Sequence, residues 1–152
     1  MKIVHVITRL ILGGAQENTL LTVEGLHHRY HDDVTLITGP AEGPEGDLFS
    51  RAQAQNLKVQ VVPELVRAIQ PITDRAAYRE LRRAIRRIRP DVVHTHSSKA
   101  GIVGRAAAWA ERVPAVVHTI HGLPFGPSES AWKNRLYITL ERWAARRCHA
   151  IV

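Results

Sequence analysis

The stretch KIVHVITRLILGGAQ, residues 2–16, predicts a buried strand, a tight turn and the start of a helix. Residues 2–8 are apolar and rich in β-branched side chains, which is typical of a strand that is covered on both faces. The adjacent Gly13 and Gly14 indicate a turn. Beyond them the apolar spacing changes to the helical period, so we expect a helix over Ala15–Tyr30. Its inward face is predicted to carry Leu20, Val23, Leu26 and Tyr30.

The same alternation continues to the end of the chain. Further strands are predicted over Asp33–Thr38, Leu57–Val62, Asp91–Thr95 and Ala115–Ile120. Further helices are predicted over Asp47–Gln55, Asp74–Arg89 (N-cap Asp74), Lys99–Arg112 (N-cap Ser98) and Glu129–Cys148. The last helix is expected to bury Trp132, Leu136, Leu140 and Trp143. Strands that alternate with helices predict an α/β fold, a Rossmann-like doubly wound parallel sheet that binds ligands beyond the carboxyl ends of its strands.

Residues 150–152 have the character of a sixth strand that has only begun. We therefore expect residues 1–152 to be one domain of a longer protein, truncated at the start of that strand. The length and the 45% hydrophobic content are enough for one substantial core.

Composition limits the environment and the partners of the domain. Cys148 is the single cysteine, and the N-terminus has no signal-peptide pattern, so we expect a cytoplasmic location. The formal net charge is +7, which favours an anionic partner such as a nucleotide, a nucleic acid or a membrane surface.

The turn at Gly13 and Gly14 is a candidate phosphate site. Glycines let a backbone approach a ligand closely, and the amides and dipole at a helix N-terminus favour an anion. A tight turn without a ligand is the alternative. A dinucleotide site is weakly supported, because the third glycine of G-x-G-x-x-G is missing and the second strand ends without an acid. The P-loop is excluded, since no Gly-Lys-Ser or Gly-Lys-Thr sequence occurs.

Histidines follow two strands at the same predicted edge of the sheet. The sequence VVHTH ends at His96, and VVHTIH ends at His121, just before Gly122. His94 and His118 lie within the strands and are expected to be core histidines with hydrogen-bond partners. His121 lies beyond its strand and is the better functional candidate. No metal is expected, because no carboxylate lies near these histidines in sequence and the spacing of zinc motifs is absent.

A third candidate is the start of the helix that follows His96. Ser97, Ser98 and Lys99 offer two hydroxyls and an ammonium at a helix N-terminus, a combination that suits an anionic or hydroxyl-rich group. Simple helix capping by Ser98 is the alternative, and both can hold together.

Taken together, these motifs resemble the N-terminal domain of glycosyltransferase family 4, whose retaining enzymes have the GT-B fold. The segments that carry the resemblance are Gly13-Gly14-Ala15-Gln16, then residues 90–101 with the sequence PDVVHTHSSKAG, then residues 117–122 with the sequence VHTIHG. They occur in the family's order and span nearly the whole chain.

The resemblance implies a fold, an activity and a set of site residues. The domain is expected to shape the acceptor site, while a C-terminal domain absent from this chain holds most of the nucleotide sugar. Gly13 and Gly14 approach the donor's diphosphate, His121 is the catalytic residue beside the transferred sugar, and Gln16, Ser97, Ser98, Lys99 and Gly122 bind substrate. The implied acceptor is a glycan or a lipid-linked sugar, as in polysaccharide, capsule or cell-envelope synthesis. No cofactor is expected besides the donor, and the fragment is expected to be inactive alone.

An arginine row on the helix predicted over Asp74–Arg89 carries much of the positive charge. It is formed by Arg79, Arg82, Arg83 and Arg86. A solvated surface is one interpretation, and docking to an anionic membrane on the cytoplasmic side is another. We do not expect nucleic-acid binding, since aromatics make up only 5% of the chain and no recognition motif accompanies the row. Another sugar-nucleotide enzyme, such as an epimerase, remains an alternative function.

Overall fold

The computed structural model describes residues 1–41, 44–127 and 129–152. Six parallel strands form one sheet in the order β3-β2-β1-β4-β5-β6. The strands are β1 Lys2–Arg9, β2 Asp33–Gly39, β3 Lys58–Val61, β4 Val92–His96, β5 Ala115–Thr119 and β6 Ala150–Ile151. The helices are α1 Gly14–His28, α2 Phe49–Ala54, α3 Pro71–Ile88, α4 Ser98–Ala110 and α5 Ala131–Ala145.

Helices cover both faces of the sheet, which confirms the doubly wound fold. On one face, Leu20 and Val23 of α1 and Ala52 of α2 pack on Ile3 and Ile7 of β1. On the other face lies a core from α3, α4 and the central strands. Its members include Val4, Val6, Val93, Val116, Leu81, Ile85, Ala100 and Ala107. Successive residues of each central strand thus face opposite cores, so both sides of the strand sequences had to be apolar.

The glycines of α4 allow that helix to lie close to the sheet. A Cβ added at Gly101 would collide with the His118 ring, and one added at Gly104 would come within 2.8 Å of the Thr95 methyl carbon. This close packing brings the first turn of α4 against the carboxyl end of β1.

Several predicted boundaries and faces are wrong. The first helix ends at His28, and Tyr30 lies beyond it with 63% of its surface exposed, because the chain turns through His31 at φ 56°. The helix predicted over Asp74–Arg89 begins at Pro71 rather than after Asp74. Proline suits the first helical position, and Asp74 lies in the first turn, where its carboxylate accepts the Gln70 N–H at 3.3 Å.

The apolar face predicted for the last helix is largely uncovered. Trp132 is 67% exposed, Trp143 41% and Leu136 39%, and only Ala144 of α5 is fully buried. Periodicity identified an apolar stripe correctly, but it did not show whether another element packs on it. No helix in the described ranges is long and apolar enough to span a membrane.

Candidate functional site

The carboxyl ends of β1, β4 and β5 place three segments together at one edge of the sheet. β1 leads to Gly13 and Gly14, β4 to Ser97, and β5 to His121. The pairing of β4 with β5 sets His96 opposite Thr119, so the residues just beyond these strands are neighbours. This is the edge at which open α/β sheets bind ligands.

The N-terminus of α1 is open. Gly13 is its N-cap residue in an extended conformation, and no side chain caps the helix. A Cβ on Gly14 would meet nothing within 4 Å, so the backbone there borders free space. Gln16 lies over the neighbouring glycine, since its Oε1 is 2.8 Å from where a Cβ of Gly13 would stand. The first amides of α1 are therefore accessible to an anion.

The N-terminus of α4 is capped from β1. Ser97, not Ser98, is the residue that precedes the helix, and its φ of 60° leaves its own hydroxyl unable to cap it. The Ala100 N–H instead donates to Thr8 Oγ1 at 3.1 Å, and that hydroxyl also lies 3.0 Å from Ser97 Oγ. The predicted cap at Ser98 is wrong because the long-range partner Thr8 fills that role.

Lys99 lies away from the other predicted site residues. Its ammonium is paired with the Asp74 carboxylate and the Ala68 carbonyl, and its side chain is only 11% exposed. The lysine thus ties the start of α4 to the start of α3 and the loop before it. Ser97, Ser98, His121 and Gly122 do come together, around one cavity.

That cavity, of about 210 Å³, is lined by both apolar and polar residues. Ile120, Leu123 and Phe125 contribute apolar surface. Arg105 of α4 also lines the cavity and is fully buried. Its Nε donates to the Gly101 carbonyl at 2.7 Å, and its guanidinium pairs with Glu141 at 2.6 Å. Arg105 Nη1 has no partner among the described residues. The sequence signal for this pair is an arginine inside the small-residue face of a buried helix, which our sequence analysis missed.

Four histidines gather on one side of the sheet at this edge. His5 Nδ1 lies 2.9 Å from His96 Nε2, and His96 Nδ1 lies 3.1 Å from His121 Nε2. The His94 ring lies against that of His96 in a tilted arrangement, 4.2 Å between ring centroids, and shares a 2.7 Å hydrogen bond with the Thr119 hydroxyl. His5 was not predicted, although its position in β1, in register with His94, carries the signal.

His118 points to the opposite face of the sheet. It is buried, and its Nδ1 lies 3.1 Å from the Thr95 carbonyl and 3.0 Å from the Thr95 hydroxyl. The prediction of a hydrogen-bonded core histidine is confirmed for His118. His94 also has a partner but is only half buried, next to the site.

Burial keeps these rings neutral. Desolvation lowers the pKa of His5 to about 3 and those of His94 and His118 to about 4, and the electrostatic cost of a second positive charge beside another histidine, or beside Arg105 for His118, adds to the effect. Desolvation also lowers the pKa of His96 and, to a smaller extent, that of His121. The cluster therefore holds uncharged imidazoles at neutral pH.

The ring nitrogens of His5, His94 and His96 lie within 4.8 Å of one another, a grouping that could hold a metal ion. However, the His5–His96 and His96–His121 separations have the length of nitrogen-to-nitrogen hydrogen bonds, so one lone pair in each of these two links already accepts a hydrogen bond. The expectation of no metal stays a prediction.

The arginine row is partly neutralised by carboxylates. Arg82 and Arg86 both bind Glu111, at 2.6 and 2.9 Å, and Arg83 pairs with Glu80. The hydrogen bonds from Arg86 and Arg82 lower the pKa of Glu111 to about 2, and Arg86 is the larger cause. The row is thus a set of ion pairs as much as a free cationic surface.

Residues 13–152 match the glycosyl transferase 4-like domain. The chain belongs to this family. The glycine turn, the β4–α4 segment and the His121-Gly122 loop all lie within the matched residues. Family membership confirms the resemblance drawn from the sequence.

A curated relative supports the same family. The chain is 36% identical over 146 residues to the UDP-Gal:alpha-D-GlcNAc-diphosphoundecaprenol alpha-1,3-galactosyltransferase of Escherichia coli. The alignment covers 96% of the chain but only 36% of that enzyme. The chain therefore spans about a third of the relative's length.

Solved structures share the fold. MurG of Acinetobacter baumannii superposes with a TM-score of 0.67 at 13% identity, covering 99% of the chain and 40% of MurG. HepE of Anabaena, in complex with UDP and glucose, has a TM-score of 0.66 at 18% identity, covering 99% of the chain and 37% of HepE. The UDP-GlcNAc 2-epimerase of Methanocaldococcus jannaschii has a TM-score of 0.62 at 13% identity, covering 99% and 38%. This glycosyl transferase 4-like domain thus has the sheet common to GT-B transferases and such epimerases.

Proposed function

We propose that this domain is the acceptor-side half of a glycosyltransferase that moves a sugar from a nucleotide-sugar donor to a lipid-linked glycan acceptor. The observation that carries the proposal is the meeting of an open helix N-terminus at Gly13 and Gly14 with His121 at the same edge of the sheet. The first can hold a phosphate group, and the second can contact the sugar that is transferred.

The relative and the structural neighbours support the substrate class. The relative from E. coli is named for a UDP-galactose donor and a diphosphoundecaprenol-linked acceptor, and HepE was solved with UDP and glucose. We propose the same chemical classes here, a UDP-sugar and a polyprenyl-diphosphate sugar. The E. coli relative is named as an alpha-1,3-galactosyltransferase, and in keeping with the resemblance to family 4 we further propose that the anomeric configuration is retained.

Mechanistically, this half supplies electrostatic contacts rather than a nucleophile. The departing diphosphate carries negative charge, which amides at the α1 N-terminus stabilise without reorganisation. His121, neutral by burial, offers a hydrogen bond to the sugar or acceptor. Because the relatives are longer than this chain, we propose that a second domain completes the donor site and that residues 1–152 alone do not turn over.

The test uses the full-length protein that contains this chain. With UDP-galactose and a polyprenyl-diphosphate GlcNAc acceptor, we expect a disaccharide-lipid product with an alpha linkage, detected by mass spectrometry and NMR. His121→Ala should lower kcat/KM by roughly a hundredfold or more, as for loss of a positioned polar group. The matched control His27→Ala, in α1 and away from the edge, should retain activity.

The epimerase alternative is decided in the same reaction. The fold occurs in UDP-GlcNAc 2-epimerases, so the same protein is also incubated with UDP-GlcNAc in place of UDP-galactose and without acceptor. Conversion of UDP-GlcNAc to its C2 epimer, with no acceptor-dependent product, would replace the transferase proposal.

A further inference from the structure

A chain of three imidazoles runs from the core of the sheet to the site. His5 and His96 are 0% and 1% exposed, whereas His121 lines the cavity. The rings of His5 and His96 are nearly parallel, 13° apart, and those of His96 and His121 are 28° apart. With nitrogen separations of 2.9 and 3.1 Å, each neighbouring pair is a hydrogen bond.

A neutral imidazole carries one N–H, so the protons of the chain are linked. In the first, outward direction, His96 carries its proton on Nδ1 and donates to His121, and His5 must donate from Nδ1 to His96. In the second, inward direction, His96 carries its proton on Nε2 and donates to His5, and His121 must donate from Nε2 to His96. Only these two directions fill both hydrogen bonds with neutral rings.

His5 Nε2 distinguishes the two directions. This atom is buried and has no partner among the described residues. In the inward direction it would carry an N–H with no acceptor, and buried donors without acceptors are rare in proteins because they are destabilising. In the outward direction His5 Nε2 keeps an unused lone pair, and the N–H groups of the two buried rings, His5 and His96, both have acceptors.

We propose that His5 and His96 are positioning residues that hold His121 in the tautomer with its proton on Nδ1. Since Nε2 of His121 is occupied by His96, the nitrogen outside the chain is an N–H donor. The substrate group that His121 recognises is therefore an oxygen acceptor, a sugar hydroxyl oxygen or a phosphate oxygen, and His121 does not act as a base through Nδ1. The role of this donor in turnover rests on the proposed function, whereas the tautomer is a property of the resting protein.

The tautomer is measured by long-range proton–nitrogen correlation NMR on the full-length protein labelled with [15N]histidine. We expect the protonated, pyrrole-type shift for His121 Nδ1 and the unprotonated, pyridine-type shift for its Nε2. The reverse assignment would overturn the proposal, because it would show the inward direction.

Two substitutions of His96 test whether its donor toward His121 sets the His121 tautomer: one keeps that donor, and the other removes it. The amide nitrogen of asparagine lies where His96 has Nδ1, so His96→Asn keeps a donor toward His121. In His96→Gln the amide lies near the position of Nε2, and that donor is lost. We expect His121 to keep its tautomer in the first variant and to show the mixed shifts of a free imidazole in the second. Unchanged shifts in His96→Gln would overturn the proposal.

His94→Gln is the matched control. The His94 ring contacts those of His5 and His96 at tilted angles, but His94 is not a member of the imidazole chain. This substitution disturbs the packing of the cluster, and the shifts of His121 should stay as in the wild type. A changed tautomer in His94→Gln would mean that packing alone, and not the hydrogen-bond chain, determines it.

Turnover gives a second readout. His96→Gln should lower kcat roughly tenfold or more below His96→Asn, with similar KM for the donor, because a wrong tautomer acts on the chemical step. Equal kcat in the two variants would overturn the positioning role. If the NMR result holds but the protein transfers no sugar, the chain of imidazoles stands and the proposed function fails.

A metal ion would use the same nitrogens. Zinc chloride is therefore added to the labelled protein. We expect no stoichiometric shift of the His5, His94 and His96 resonances, and such a shift would overturn the proposal, because a coordinated lone pair cannot accept a hydrogen bond.

Discussion

Two strand-to-helix turns stand side by side at the same edge of the sheet, and they use their helix N-termini differently. After β1, the turn at Gly13 and Gly14 leaves α1 without a side-chain cap and with free space over Gly14. After β4, the turn at Ser97 leaves α4 with its third amide bound by the Thr8 hydroxyl. The two motifs look equally suited to an anion, but among the described residues no side chain caps α1, whereas the Thr8 hydroxyl binds an amide of α4.

The difference arises from what lies beneath each turn. Thr8 is near the end of β1, and the close approach of α4 to the sheet brings its hydroxyl under the Ala100 amide. The start of α1 has no comparable neighbour. A helix N-terminus is thus a binding site only where the core does not already supply an acceptor.

The largest expected effect in this comparison is that of Thr8→Val. The substitution keeps the shape of the side chain but leaves the Ala100 N–H without an acceptor in a buried position. We expect the local stability of α4 to fall by about 2 kcal/mol. Native-state hydrogen exchange of peptides from α4, followed by mass spectrometry, measures this in the full-length protein.

Thr19→Val is the matched control for that experiment. Thr19 is also buried, but its hydroxyl donates to the Ala15 carbonyl within α1 and caps nothing. We expect exchange in both helices to stay close to that of the wild type. Equal effects of the two substitutions would show that Thr8 has no special role in α4.

A smaller effect distinguishes Ser97 from Ser98. Ser97 Oγ shares a hydrogen bond with Thr8, whereas the Ser98 hydroxyl has no hydrogen-bond partner among the described residues. Ser97→Ala should therefore lower the stability of α4 by about 1 kcal/mol, and Ser98→Ala by less than about 0.5 kcal/mol. The same exchange measurement applies. The opposite order is the result expected if Ser98 were an ordinary N-cap.

The sequence predicted features that depend on local pattern. The order of strands and helices, the glycine turn and the position of His121 beyond β5 follow from periodicity and from residues close together in the chain. These predictions are confirmed as placements in the fold. The roles assigned to Gly13, Gly14 and His121 remain predictions.

Features that depend on distant pairing were missed. His5 and His96 are 91 residues apart, and Thr8 lies 92 residues from the amide it caps. No local pattern indicates such contacts, because they depend on the register between β1 and β4 and on how near α4 lies to the sheet. For the same reason the sequence did not indicate that Lys99 pairs with Asp74 and the Ala68 carbonyl, and its substrate-binding role stays a prediction.

The smallest expected change in stability is that of Gly14→Ala. Nothing lies within 4 Å of the added Cβ, and alanine reduces the freedom of the unfolded chain, so α1 should be unchanged or more stable by about 0.5 kcal/mol. Binding should respond in the opposite direction. The methyl group would enter the space over the open amides, and we expect the affinity for a UDP-sugar to fall about tenfold, as for the loss of one hydrogen bond to a charged group.

Gly39→Ala provides the contrast for that variant. A Cβ at Gly39 would collide with the backbone oxygens of Leu65 and Thr8, so this glycine is required by packing. We expect it to lose stability, measured by hydrogen exchange, while Gly14→Ala loses donor affinity, measured by calorimetry. If Gly14→Ala instead lost stability and kept its affinity, Gly14 would serve only the fold, as Gly39 does. The donor's diphosphate would then have to bind elsewhere.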